Sequence, residues 1–367
     1  MATNAPSPTP SEATGRPTTA EAYGVTSPTS PVGPLTIERR ALRPEDVAIR
    51  ISHCGICHTD LHFAHNDWGM SEYPMVPGHE IVGTVTAVGS GVTKYSAGDR
   101  VAVGCLVDSD LTCDECRAGY EQFCAAGPTF TYSGRDRQDG SLTQGGYSDH
   151  VIVREEFVCR VPDGLDLART APLLCAGITT YSPLKRFNVG PGQNVAVVGL
   201  GGLGHMGVKL AHAMGAHVTM VTTSPAKGED ARLLGADDVL VSTDAEAMEA
   251  AAARFHFILD TIPVTHDVQP YIKLLRPHGA IVLVGALEPL PGVNGFNLIF
   301  GNRILAGSAI GGLRETQEML DFCAEKNVMP EIEVIRADQI NEAWDRLVKG
   351  DVRYRFVIDM GTIDEAA

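Results

Sequence analysis

Between Leu35 and Val161 the apolar residues come in short runs that alternate with polar ones and are broken by Gly, Pro and Asp. Stretches such as Glu80 to Val88 and Asp99 to Val103 read as strands, because a period of two sends successive side chains to opposite faces of a sheet. Many short strands separated by turn residues predict antiparallel strands of a small barrel. Around Cys175 the texture changes. From there to about Gly312, apolar runs at Val195 to Val198, Val218 to Val221, Val239 to Val241, Phe257 to Asp260 and Ile281 to Val284 alternate with helical stretches, among them His205 to Met214 and Ala231 to Leu234. That alternation predicts a parallel sheet with helices on both faces. The remainder, with a helix-like Arg314 to Lys326, is expected to return to the first domain, with function in the cleft between the two.

The chain has 367 residues, too many for one typical domain and suited to two. Residues 1–20 are rich in Pro, Ser, Thr and Ala and almost lack large apolar groups, so they are expected to form a disordered tail. No apolar run approaches the ~20 residues that a membrane helix needs. The formal charge of −16 argues against nucleic acid or an anionic membrane as a partner, since both are bound by clustered Lys and Arg. Nine cysteines stand at metal-like spacings without a signal-peptide core before them. Reduced thiols, and hence a cytoplasmic location, are the expectation.

Chemistry enters at Cys57, followed by Thr59, Asp60 and His62, then at His79-Glu80 and at Cys175. Two thiolates and one imidazole are the donor set of a catalytic zinc that keeps a fourth position open. Buried, inert thiols are the alternative for Cys57 and Cys175. Asp60 is placed to accept a hydrogen bond from the non-ligating nitrogen of His79, which would fix its tautomer. After the run Val195 to Val198 come Gly199, Gly201, Gly202, Leu203 and Gly204, matching G-x-G-x-x-G in the strand–turn–helix setting that gives this pattern meaning as a dinucleotide site.

Several motifs in order, Cys54-Gly-Ile-Cys-His-Thr-Asp-Leu-His62, Val76-Pro-Gly-His-Glu80, Gly199 to Met206 and Asp351 to Val357, give the chain a resemblance to the zinc-dependent medium-chain alcohol dehydrogenases, cinnamyl-alcohol-dehydrogenase-like branch. The resemblance covers about Glu21 to Gly361. It implies an α/β protein: a GroES-like (chaperonin-10 type) β-barrel catalytic domain from 21–175 and 313–367, and a doubly wound Rossmann domain from 176–312. It also implies Cys57, His79 and Cys175 as zinc ligands, Glu80 as a transient ligand, Cys54 as packing, and Thr59 with His62 as a proton relay. A homodimer formed through the cofactor domains is implied as well.

Asp110, Cys113, Cys116 and Cys124 fall on the family's four-cysteine structural zinc lobe, with aspartate in the first place. Carboxylate oxygen does ligate zinc, so the lobe reads either as a three-Cys, one-Asp site or as a loop that has lost its metal. Beyond Gly204 there is no acid until Glu229, and the loop runs Thr222-Thr223-Ser224-Pro225-Ala226-Lys227. Hydroxyls and an ammonium suit a 2′-phosphate, which a carboxylate would repel, so NADP(H) is expected over NAD. Thr223, Ser224 and Lys227 are the expected phosphate contacts; the resemblance places Ser224 and Lys227 there and Thr179 on the nicotinamide side. It also places Trp68, Cys105, Phe130 and Ile310 in an apolar substrate pocket. The expected activity is interconversion of aldehydes and primary alcohols by a zinc enzyme. A zinc-free quinone-reductase-like enzyme and a non-catalytic redox or zinc-sensing module are the rivals.

Overall fold

Asp46–Gly55 organises the first unit of the chain: its early residues pair with His150–Arg154, Val47 to Cys54 with Ile81–Val88, and its last three residues with Arg355–Asp359, all antiparallel. Two irregularities in its register against Ile81–Val88, between Ala48 and Ile49 and between Ile51 and His53, mark bulges that let one strand bend and serve several neighbours. The sheet has seven strands and runs Ile332–Arg336, Arg355–Asp359, Asp46–Gly55, Ile81–Val88, Arg100–Val103, Cys159–Arg160, with His150–Arg154 branching from Asp46–Gly55. The computed structural model describes residues 16–285 and 288–363.

The second unit holds a six-stranded sheet in the order Asp238–Val241, His217–Thr222, Asn194–Val198, Phe255–Asp260, Leu275–Leu283, Ile304–Gly307, every pair parallel. This is the doubly wound order, whose direction of winding reverses between Asn194–Val198 and Phe255–Asp260. Its inner strands are near-continuous apolar runs, largely buried on both faces: Ala196, Val198, Val221, Ile258 and Ile281 sit in one core cluster. Among the described residues, 16–175, 312–320 and 331–363 group in the first unit and those of 176–311 with 321–330 in the second.

Three features differ from the sequence reading. The strand Thr18–Gly24 begins inside the segment expected to be a tail, and it pairs with Gly33–Arg39. Small residues suffice there, because Ala20 and Ala22 turn inward while the ladder satisfies the backbone. Residues 1–15 of that expected tail lie outside the described residues. The helix of the second crossover spans Pro225–Leu233, starting six residues before Ala231, with Pro at its first position. The helix Ala176–Arg186 has no amphipathic period to betray it, since eight of its eleven residues are buried.

Candidate active site and metal centre

Cys57 caps the helix His58–His65: its backbone N–H donates to Asp60 Oδ2 at 2.9 Å, and the helix closes at Asn66 in the left-handed region. One short helix therefore carries Cys57, Thr59, Asp60 and His62. Thr59 and His62 are three residues apart and so neighbours on its surface. His79 and Glu80 immediately precede the strand Ile81–Val88, and Cys175 caps the short helical turn Ala171–Leu174.

Folding brings Cys57, His79, Glu80 and Cys175 together, with one donor atom from each all within 4.8 Å of one another. Cys57 and Cys175 Sγ are 4.0 Å apart. Two thiolates about 2.3 Å from a tetrahedral zinc would stand about 3.8 Å apart, so the pair fits the ion almost as it stands. Hydrogen bonding with Cys175 holds the Cys57 thiol well below the ordinary cysteine range against the push of burial, with His79 adding to the effect. That thiolate character is what a metal ligand requires.

Asp60 is fully buried and accepts hydrogen bonds from Cys57 N–H, from Gly78 N–H at 3.1 Å and from the Tyr147 hydroxyl at 3.1 Å; His79 Nδ1 is 3.2 Å away. Tyr132 Oη also lies 3.1 Å from His79 Nδ1. Glu80 is fully buried, and Arg355 donates to its Oε1. Burial pushes the Glu80 carboxyl up to about 7 against the opposing charge of Arg355.

Thr59 Oγ1 is 3.5 Å from Cys57 Sγ, and His62 Nδ1 is 2.7 Å from Asp67 Oδ2. His62 lies against Trp68, ring centroids 5.0 Å apart, and Phe63 bridges Trp68 and Tyr132 edge-on at 5.3 and 5.2 Å. Cys105 sits beside Cys175, its Sγ 4.0 Å from Leu174 O. Phe130 is exposed on the short strand pairing with Leu106–Asp108, and Ile310, at φ 38°, belongs to the second unit. Sequence reasoning missed Asp67, Tyr132, Tyr147 and Arg355 as functional candidates. Tyr147 meets Asp60 across 87 residues and Arg355 meets Glu80 across 275, separations that no local pattern encodes.

In the lobe, donor atoms of Asp110, Cys113, Cys116 and Cys124 likewise lie within 4.8 Å of one another. Cys124 Sγ accepts the N–H of Asp110 and Cys113 Sγ that of Ala125, both at 3.4 Å. Asp110 Oδ1 accepts the N–H groups of Cys113 and Thr112 at 3.0 and 2.8 Å, which hold its carboxyl well below the usual range. Both bonds go to Oδ1, leaving Oδ2 for a metal. The donor set fits zinc.

In the second unit the glycine turn follows Asn194–Val198 and opens the helix Gly204–Ala213. Gly199 has φ 90°, and a Cβ on Gly204 would lie 1.8 Å from Gly199 O, so both positions require glycine. Gly201 is exposed with nothing near its absent side chain, which leaves the backbone open to a pyrophosphate; Gly202 and Leu203 complete the turn. Thr223 and Lys227 are exposed, Ser224 half-buried, around the start of Pro225–Leu233. Thr179 is buried in Ala176–Arg186.

A doubly wound sheet and a cysteine–histidine metal centre carried on one chain define a zinc-dependent dehydrogenase architecture. The alcohol dehydrogenase GroES-like domain matches residues 43–163 and the zinc-binding dehydrogenase domain residues 202–325. The chain is 53% identical over 346 residues to NADP-dependent alcohol dehydrogenase C 1 of Mycolicibacterium smegmatis, covering 94% of this chain and 99% of that protein. It is 52% identical over 347 residues to aldehyde reductase YahK of Escherichia coli, again covering 94% and 99%. A solved cinnamyl alcohol dehydrogenase from Sorghum bicolor superposes with a TM-score of 0.90 at 46% identity, covering 94% of this chain and 98% of that one. The chain belongs to the zinc-binding alcohol dehydrogenase family with a GroES-like domain.

Proposed function

We propose that this protein is an NADP(H)-dependent zinc alcohol dehydrogenase that interconverts aldehydes and primary alcohols, aromatic and aliphatic, mainly by aldehyde reduction. The observation that carries it is the clustered Cys57, His79, Cys175 donor set with Thr59 and His62 on the short helix that Cys57 caps. The relatives named NADP-dependent alcohol dehydrogenase and aldehyde reductase support the same activity. A zinc-free reductase has no use for such a donor set. A non-catalytic module would be untouched by Cys57→Ser, which in our reading abolishes turnover. The test is the initial rate of NADPH and NADH oxidation with cinnamaldehyde on protein of known zinc content. Faster turnover with NADPH supports the assignment; none with either cofactor on zinc-loaded protein, across short and aromatic aldehydes, overturns it.

Zinc held by Cys57, His79 and Cys175 supplies a Lewis acid that polarises a carbonyl oxygen and makes an alcohol more acidic. The chain's own side chains do the rest. Asp60 fixes His79 through its Nδ1, and its bond to Cys57 N–H sets the turn that aims the first thiolate. The Thr59 hydroxyl donates a proton to the oxygen of the reduced carbonyl. His62 re-supplies Thr59 from solvent, and Asp67 holds the imidazole by Nδ1 so that Nε2 does the exchange. In the oxidative direction the proton runs outward along the same path.

Gly199 to Gly204 would hold the pyrophosphate of NADP(H), Thr223, Ser224 and Lys227 would hold its 2′-phosphate, and Thr179 would contact the nicotinamide side. The absence of any carboxylate from Val221 to Gly228 supports NADP over NAD. Trp68, Cys105 and Phe130 of the first unit line the substrate pocket, whose apolar character favours broad acceptance over strict choice. The Asp110 lobe binds a second, structural zinc.

A homodimer formed through the cofactor domains is supported by the strand Ile304–Gly307, an edge paired on one side only among the described residues, and by Phe296, Ile299, Phe300 and Ile304, apolar yet exposed. Phe300→Glu should shift the protein from dimer to monomer in light scattering. Nine free cysteines, five of them in the two metal clusters, support a reducing, cytoplasmic location. Among the described residues no helix is long and apolar enough to cross a membrane.

A further inference from the structure

A buried carboxylate one residue from a zinc ligand is a stronger competitor for an open coordination place than a neutral aldehyde oxygen, so something must hold Glu80 back. Two restraints are visible. Arg355 donates to Oε1 and so competes with a metal for that oxygen. Oε2 is buried with no hydrogen-bond partner among the described residues, and it occupies the space where Gly55 lacks a side chain: a Cβ built on Gly55 would lie 1.9 Å from Oε2 and 3.0 Å from Glu80 Cβ and Cδ. Gly55 is outside the left-handed region, so its backbone would accept any residue and only the space demands glycine. Its N–H donates to the backbone O of Glu80 at 2.9 Å, which ties the two backbones together at the niche.

We propose that Gly55 is a positioning residue: the niche over its Cα, together with Arg355, stores the Glu80 carboxylate withdrawn from the metal, and filling the niche drives Glu80 into the fourth coordination place. This rests on the reading of Cys57, His79 and Cys175 as the zinc ligands. No covalent bond changes; a carboxylate oxygen exchanges with substrate or water at the metal. The resting enzyme then keeps its substrate position open, whereas in Gly55→Ala the site is closed by its own side chain.

The test uses the full-length enzyme with cobalt(II) in place of zinc. Gly55→Ala should change the cobalt d–d bands relative to the parent, and in the zinc form raise the KM for aldehyde by about tenfold, the size of effect that groups behind a ligand commonly have. In Gly55→Ala/Glu80→Ala both the spectrum and KM should return to those of Glu80→Ala alone. An unchanged spectrum in folded Gly55→Ala, or a double variant as impaired as the single one, overturns the proposal. Should Gly55→Ala not fold, Arg355→Gln releases the other restraint. Its spectrum should shift in the same sense, and Glu80→Ala should suppress the shift; a shift that persists without Glu80 is equally fatal. If Cys175→Ser leaves the thiolate-to-cobalt band intact, the ligand assignment itself has failed, a result distinct from either.

Discussion

Asp60 binds two of the three proposed zinc ligands at once: one oxygen lies 3.2 Å from His79 Nδ1, the other takes the backbone N–H of Cys57 at 2.9 Å. Removing this carboxylate loosens both. Asp60→Asn, which keeps the shape and loses the charge, should weaken zinc retention by about ten- to a hundredfold. Zinc release to a chelator, followed by the colour of the complex, measures it. Tyr147→Phe removes only one of the donors to Asp60 and should show a smaller loss in the same assay.

His62 and Asp67 should separate in their effects. His62→Ala removes the proton carrier, and kcat for aldehyde reduction should drop by about a hundredfold. Asp67→Asn leaves an imidazole with a weaker partner, so its loss should be smaller. Added imidazole should restore part of the rate to His62→Ala and do nothing for Asp67→Asn. Equal, unrescued losses in both variants would remove His62 from the relay.

Cofactor choice turns on Lys227 and its neighbours. A charge-assisted hydrogen bond to a phosphate contributes about 1.5–3 kcal/mol, so Lys227→Ala should raise the KM for NADPH by about tenfold or more and leave that for NADH nearly unchanged. Thr223→Asp should go further and favour NADH outright. Steady-state kinetics with both cofactors decide it.

The lobe offers a test in the opposite direction. Softer sulfur in place of oxygen should hold zinc more tightly, so Asp110→Cys should lower the rate of zinc loss from the lobe and raise the melting temperature. Asp110→Ala removes both the metal donor and the acceptor of the Thr112 and Cys113 N–H groups. That protein should hold one zinc where the parent holds two, read by elemental analysis.

Asp136 carries a pH dependence of its own. Burial alone would push it up, but the Arg43 guanidinium and the N–H groups of Gln138 and Asp139 hold it at about 2. Its carboxylate therefore stabilises the folded state above the ordinary Asp pKa, and that contribution fades as the pH falls from about 4 toward 2. Asp136→Asn should lower the urea midpoint at pH 6, and the gap to the parent should narrow steadily below pH 4. A gap independent of pH would mean that Asp136 acts through shape and not charge.

What the sequence determined by itself is whatever depends on short separations. Period-two runs located Ile81–Val88 and Arg100–Val103, apolar runs located every strand from Asn194–Val198 to Leu275–Leu283, and the spacing Gly199, Gly201, Gly204 marked the turn, because strand pairing and a tight turn are set by neighbours along the chain. Aspartate in place of cysteine at residue 110 was legible as chemistry before any fold. Tertiary structure decided the rest. The buried helix Ala176–Arg186 escaped notice because burial on all sides erases the helical period. The hydrogen bonds of Tyr147 to Asp60 and of Arg355 to Glu80 join residues 87 and 275 positions apart, and the niche at Gly55 exists only once Glu80 is laid over it. Ligand identity is a property of residue types, while the orientation of a ligand and the space kept open beside it are properties of packing.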